Sequence, residues 1–164
     1  MLQRYRMEKD YRNLFEHRHY GITSWGAVCG GLLTGKYLDG IPEGSRLELA
    51  KACPPLSHFF DRYLASDKVE ETTKKLRALQ EIATANKVSM AALATAWIIA
   101  YEDISCALSG FTKLAYVDDN LSALTLVEKW NVDLEKQIEA VLLNAPEQDG
   151  DPKTWAPRIT RRPH

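Results

Sequence analysis

Glycine spacing marks the stretch of this chain best suited to close contact with a ligand. Gly26, Gly30, Gly31 and Gly35 fall within ten residues, interleaved with the small side chains of Ala27 and Cys29. Such a run leaves the backbone N–H groups of Val28, Cys29 and Gly30 unshielded, so an anion could approach them closely; a glycine-rich turn holding nothing is the alternative. Trp25, just ahead of it, offers a flat indole that either stacks on another planar ring or fills a core. Gly110 and Thr112 stand where a strand gives way to a helix. Free N–H groups and a hydroxyl there favour a phosphate, and ordinary capping by Thr112 would explain them as well. Lys36, Arg46, Asp119 and Asn120, taken alone, read as solvated surface groups. His17, His19, His58 and His164 have no cysteine or carboxylate at metal-ligand spacing, so no metal site is expected. Lys36 and Tyr37 are adjacent, with no second group placed to make Tyr37 an acid.

The elements that would carry these residues follow from periodicity. Met7, Tyr11, Leu14 and Phe15 predict a helix over about residues 7–17, followed by a short strand at Tyr20–Trp25. Gly26 to Tyr37 reads as a loop. Leu38 to Ser66, with Asp39-Gly40, Ile41-Pro42 and Pro54-Pro55, reads as a long excursion holding one short helix at most; such lengths are usually functional or disordered. Val69, Leu76, Leu79, Ile82 and Ala83 predict a helix ending near Lys87-Val88. Ser89 then caps a second, with Leu93, Ala96, Trp97 and Ala100 as its buried stripe. Ile104 to Gly110 is a nearly continuous apolar run, as expected for a parallel strand buried on both faces. Leu114, Val117, Leu121 and Leu124 predict another helix. A last one would be capped by Asp133, with Leu134, Ile138, Val141 and Leu142 inward. From Ala145 on, four prolines and the cluster Arg158, Arg161 and Arg162 predict an irregular tail at 146–164. The pattern is α/β, but two strands do not make a sheet that buries its faces.

Bulk composition narrows the function classes. The 164 residues are 45% hydrophobic and 26% charged with a net charge of −1, so neither nucleic acid nor an anionic membrane is an expected partner. No apolar run reaches the ~18 residues of a membrane span, and no signal-peptide pattern opens the chain. Cys29, Cys53 and Cys106 are odd in number and widely spaced, which argues against a disulfide framework and for a reducing, cytoplasmic setting.

The run Ser24-Trp25-Gly26-Ala27-Val28-Cys29-Gly30-Gly31-Leu32-Leu33-Thr34-Gly35-Lys36-Tyr37, followed by Gly40-Ile41-Pro42-Glu43-Gly44-Ser45-Arg46, resembles the segment after barrel strand seven of aldo-keto reductases. Within that family it is most similar to the subgroup of potassium-channel beta subunits and their fungal and plant relatives. Leu108-Ser109-Gly110-Phe111-Thr112 and Asp118-Asp119-Asn120-Leu121 resemble the family's last strand and the helix closing over its cofactor. Ala91-Ala92-Leu93-Ala94-Thr95-Ala96-Trp97 resembles the helix between. The resemblance covers about residues 5 to 145. It implies the C-terminal portion of a (β/α)8 barrel, about strands seven and eight with their helices, as one partial domain over 1–145.

It also implies an NADPH (NADP+) site. Trp25 would stack on the nicotinamide. Gly26, Ala27, Val28, Cys29 and Gly30 would line the pyrophosphate, and Lys36 and Arg46 would contact phosphate. Gly110 and Thr112 would meet the adenosine 2′-phosphate, Asp119 and Asn120 would contact adenine, and Tyr116 also counts among the cofactor-binding residues. Five positions depart from the pattern. The family usually has Trp-Ser-Pro-Leu where this chain has Trp25-Gly26-Ala27-Val28, Tyr116 stands where Gln is usual, and Gly44 replaces a larger residue. The family's catalytic Asp, Tyr, Lys and His lie on earlier strands, so no catalytic residue is carried over and this chain alone is expected to be inactive. Three readings stay open: the cofactor-binding half of a reductase of aldehydes and ketones; a non-catalytic, channel-beta-subunit-like binding protein; or a truncated remnant. The open strands would need another chain, or a second copy, to complete the barrel.

Overall fold

Met90–Ile99 is the most apolar helix of the chain, and the fold is arranged around it. We obtained the structure as a computed structural model, which describes residues 1–18 and 20–147. In chain order it comprises a π-helical turn at Arg6–Asp10, α1 (Arg12–Arg18), β1 (Ile22–Trp25) and a 3-10 segment at Cys29–Thr34. Then follow α2 (Arg46–Lys51), α3 (Pro54–Tyr63), α4 (Val69–Ala85), α5 (Met90–Ile99), β2 (Ile104–Leu108), α6 (Ala115–Val127) and α7 (Val132–Leu142).

Ser89 caps α5 as expected, its hydroxyl accepting from the Ala92 N–H at 3.0 Å. Every residue from Met90 to Ile98 is buried, so α5 is enclosed all round rather than along one stripe. Its alanines have the small side chains that let neighbours approach closely, and α4, α6, β2 and the 3-10 segment all pack on it. Leu76, Leu79 and Ala83 of α4 and Leu134, Ile138 and Leu142 of α7 add to the same core. The cap of α7 is Asn131 rather than Asp133: Asn131 Oδ1 accepts from the Leu134 N–H at 2.9 Å, while Asp133 lies in the first turn.

The strands pair in parallel, Ile22 with Ile104, Thr23 with Cys106, Ser24 with Ala107 and Trp25 with Leu108, with an irregularity between Ile22 and Thr23. A parallel pair requires a crossover, and α2 to α5 supply it. The expectation that β2 is buried on both faces fails. Ser105, Cys106 and Leu108 are exposed, because among the described residues no third strand or second layer covers that face. The same shortage appears on α6. Leu114, Leu121 and Leu124, the spacing that predicted the helix, are exposed, and Ala123 and Leu126 face the core instead. Near the N-terminus, Phe15 is buried whereas Tyr11 and Leu14 remain open.

The excursion is more ordered than its composition suggests, with two helices in place of one. At α2, Ser45 accepts from the Glu48 N–H at 3.3 Å, and the Glu48 carboxylate reaches back to the Gly44 N–H. Glu48 thus accepts one residue ahead of the capping-box position, from Gly44 rather than from the N-cap Ser45, whose own N–H donates to the Pro42 carbonyl. At α3 the helix opens on Pro54-Pro55, the position where a missing N–H costs nothing. The tail expected at 146–164 lies outside the described residues from 148 on.

Candidate functional site

Parallel pairing sends the C-terminal ends of β1 and β2 to the same edge, with Trp25 opposite Leu108. The segments that follow each strand, Gly26 to Gly35 and Ser109 to Leu114, therefore leave side by side. Trp25 is 80% exposed, which removes the core reading of this tryptophan: nothing in the described residues covers its indole.

Beyond Trp25 the chain turns through a succession of left-handed residues, Gly26 (φ 73°), Cys29 (49°), Gly30 (67°) and Gly31 (99°), so the expected loop is instead a kinked 3-10 segment. Gly26 and Gly30 have open space where a side chain would stand. Part of the amide supply is already committed. The Cys29 N–H donates to Gly26 O at 2.8 Å and the Gly31 N–H to Val28 O at 3.0 Å; Val28 and Gly30 make no corresponding donation in this turn. Leu32 and Leu33, each 1% exposed, anchor the turn in the core. Ala27 is buried beneath it, and the Cys29 thiol is half-buried, which pushes its pKa up.

Tyr37 ties Lys36 and the start of α2 to this turn. The Tyr37 ring is buried, the Lys36 Nζ sits 4.9 Å from its centroid, and its hydroxyl accepts from the Leu47 N–H at 3.3 Å. Glycine at position 31 makes room for this lysine, since a Cβ there would come within 3.1 Å of Lys36 Cε. Arg46, the first residue of α2, is exposed beside the tied Leu47.

On the β2 side, Gly110 and Thr112 are exposed. Thr112 is not a cap, because Leu114 occupies the N-cap position of α6 with no side-chain cap bond. Tyr116 is 45% exposed, with Lys113 Nζ 5.8 Å from its ring centroid. Asp119 and Asn120 turn towards α5. Asp119 Oδ2 accepts from Ser89 Oγ at 2.8 Å, and Asn120 Oδ1 lies 3.2 Å from Thr95 Oγ1. Asn120 Nδ2 also donates to Tyr116 O at 2.8 Å. Both residues are half-buried ties between helices here, a role that surface-polar patterning did not reveal.

The structure thus brings Trp25, the glycine turn, Lys36 and the start of α2 into one neighbourhood, and sets Gly110, Thr112 and Tyr116 on the adjacent connection. Sequence reading missed Arg62 and Tyr63, which α3 brings near Cys29; the signal was Pro54-Pro55 opening a helix. Among the described residues no three His, Cys, Asp or Glu side chains gather as a metal site, and His19 and His164 lie outside them.

Comparison with known proteins gives a consistent match. Residues 1–139 fit the family model described as "Aldo/keto reductase family". A "Probable voltage-gated potassium channel subunit beta" from Oryza sativa subsp. japonica is 30% identical over 149 residues, which is 90% of this chain and 43% of the relative. The protein of the same name from Arabidopsis thaliana is 28% identical over the same shares. A "Putative voltage-gated potassium channel subunit beta" from Schizosaccharomyces pombe is 30% identical over 141 residues, 86% of this chain and 39% of the relative. The chain spans about two fifths of the length of these curated relatives.

Proposed function

Since the chain belongs to the aldo/keto reductase family, we propose that it is the cofactor-binding portion of an NADPH-dependent reductase of aldehydes and ketones. On this reading β1 and β2 are the last two strands of an eight-stranded barrel, and the edge holding Trp25 is the C-terminal face where such barrels bind ligands. The observation that carries it is the parallel register of Trp25 with Leu108, which sets the glycine turn beside the Ser109–Leu114 connection with the indole uncovered.

These residues fit the group in part. Trp25 would lie against the nicotinamide, and Val28 and Gly30, rather than Cys29, would give amides to the pyrophosphate. Lys36 and Arg46 would meet phosphate charge, with Gly110 and Thr112 at the 2′-phosphate. Tyr116, Asp119 and Asn120 would flank adenine, the last two sharing their oxygens with Ser89 and Thr95. When bound, the cofactor would supply a hydride for a carbonyl substrate. The acid that protonates the product would come from outside this chain, which on this reading is inactive alone. Three free cysteines suit a reducing cytoplasm.

The test is a titration of NADPH into the 164-residue chain, followed by tryptophan quenching. Saturable binding is expected, weakened at least about tenfold in Trp25→Ala and in Arg46→Ala. A folded chain that fails to bind would overturn the reading.

A second reading rests on a separate observation. Trp25, Leu108 and Leu114 are 80%, 55% and 88% exposed around an open sheet, and the relatives are named as channel subunits. That favours a non-catalytic role in which another protein chain, or a second copy, covers this face.

A further inference from the structure

Thr95 is out of character with its helix. Every other residue of α5 is apolar, yet this threonine stands at its centre and is only 4% exposed. A β-branched, hydroxylated side chain weakens a helix interior, so its oxygen needs a use. The single Thr95 proton has two acceptors in reach. One is the carbonyl four residues back, Ala91 O at 2.9 Å, and the other is Asn120 Oδ1 on α6 at 3.2 Å. At the far end of the same amide, Asn120 Nδ2 donates one hydrogen to Tyr116 O at 2.8 Å. The amide is thus held at both ends, with one Nδ2 hydrogen left to give.

Ser89 does the same for the neighbouring side chain. Its Oγ accepts from the Ala92 N–H at 3.0 Å and donates to Asp119 Oδ2 at 2.8 Å. Asp119 Oδ1 has no partner among the described residues and keeps its lone pairs. Two consecutive residues of α6 therefore offer one acceptor and one donor, each fixed by a hydroxyl of α5. Adenine presents the complement on one edge, an amine donor beside a ring-nitrogen acceptor. Side chains ordered beforehand lose less freedom when they bind.

We propose that Ser89 and Thr95 are positioning residues, which preset Asp119 Oδ1 and Asn120 Nδ2 to select adenine over other purines at the cofactor site. The inference rests on the cofactor-binding reading above and adds two residues of α5 to it.

Titration of NADPH and of its hypoxanthine analogue into the full 164-residue chain, followed by tryptophan quenching, tests it. The analogue turns a carbonyl towards Asp119 in place of the amine, so the parent should prefer NADPH about tenfold or more. That preference should fall at least about threefold in Ser89→Gly and in Thr95→Val, and persist in Thr95→Ser, which keeps the hydroxyl. Glycine is nearly as good a helix cap as serine, so Ser89→Gly removes the donor with little cost to α5. Affinity for the analogue should change little in either variant, which a general loosening of the two helices would not allow. Equal weakening of both dinucleotides with the preference intact would overturn the proposal and leave two structural ties. A parent that binds both dinucleotides equally would also overturn it, with the cofactor reading still standing. A parent with helical circular dichroism that binds neither would overturn that reading and this inference together.

Discussion

Arg4 joins several elements through one side chain. Its Nε donates to Glu8 at 2.6 Å, its Nη1 to both Glu139 oxygens, and its guanidinium lies 5.2 Å from the Trp97 ring centroid. It therefore ties the N-terminal turn to α7 and to the central helix at once. Burial alone would depress its pKa; the carboxylates of Glu8 and Glu139 more than offset this and hold it above the ordinary arginine value. With Arg4 10% and Glu8 8% exposed, Arg4→Ala takes the guanidinium from a buried carboxylate. The expected loss is about 3 kcal/mol of unfolding free energy, measured by denaturant titration, and a loss below about 1 kcal/mol would contradict it. Nothing about Arg4 in sequence distinguishes it from any other polar residue of the first turn, because its partners are four and 135 positions away.

At the level of elements, the caps decide how well local reading works. Ser89 was legible because a capping residue directly preceded a strongly apolar helix, and its hydroxyl serves twice, accepting from Ala92 and donating to Asp119. Ser89→Ala should cost about 1–2 kcal/mol, since it removes both the cap and the donor to a half-buried carboxylate; a melt unchanged from the parent would refute the double role. The Ser45 cap of α2 and the proline start of α3 were equally local signals, obscured by the glycines and prolines around them. The cap of α7 was misplaced by two residues because Asn131 and Asp133 are both competent caps, and only the backbone at Asn131 (φ −148°, ψ 165°) discriminates.

For the molecule as a whole, two consequences follow from what is covered and what is not. Burial raises the pKa of Cys29 above 9.0 and of Tyr63 and Tyr101 above 10.0. The native state then holds protons that the unfolded chain releases. The stability linked to these groups is full below about pH 9 and is lost as pH rises through the raised values. Melting temperature should thus fall as pH rises above about 9, and Cys29→Ala should lessen the fall; a flat profile there would contradict it. Meanwhile the open sheet face with Trp25, Leu108 and Leu114 predicts self-association of the isolated chain. Sedimentation should show species larger than the monomer, diminished by Leu114→Lys, whereas a monodisperse monomer at high concentration would refute it.

Sequence alone was enough for the properties set by near neighbours: the α/β order, the positions of β1, α4, α5, β2 and α7, the Ser89 cap and the glycine turn with its motif. These depend on periodicity and short-range hydrogen bonding, and both are written within a few residues. Tertiary structure decided what depends on which surfaces meet. It placed Trp25 in the open rather than in a core, turned Asp119 and Asn120 onto Ser89 and Thr95, and exposed the leucines of α6 that share a helical spacing with buried ones elsewhere. An apolar residue is buried only if a partner surface reaches it, and periodicity names the residue without supplying the partner.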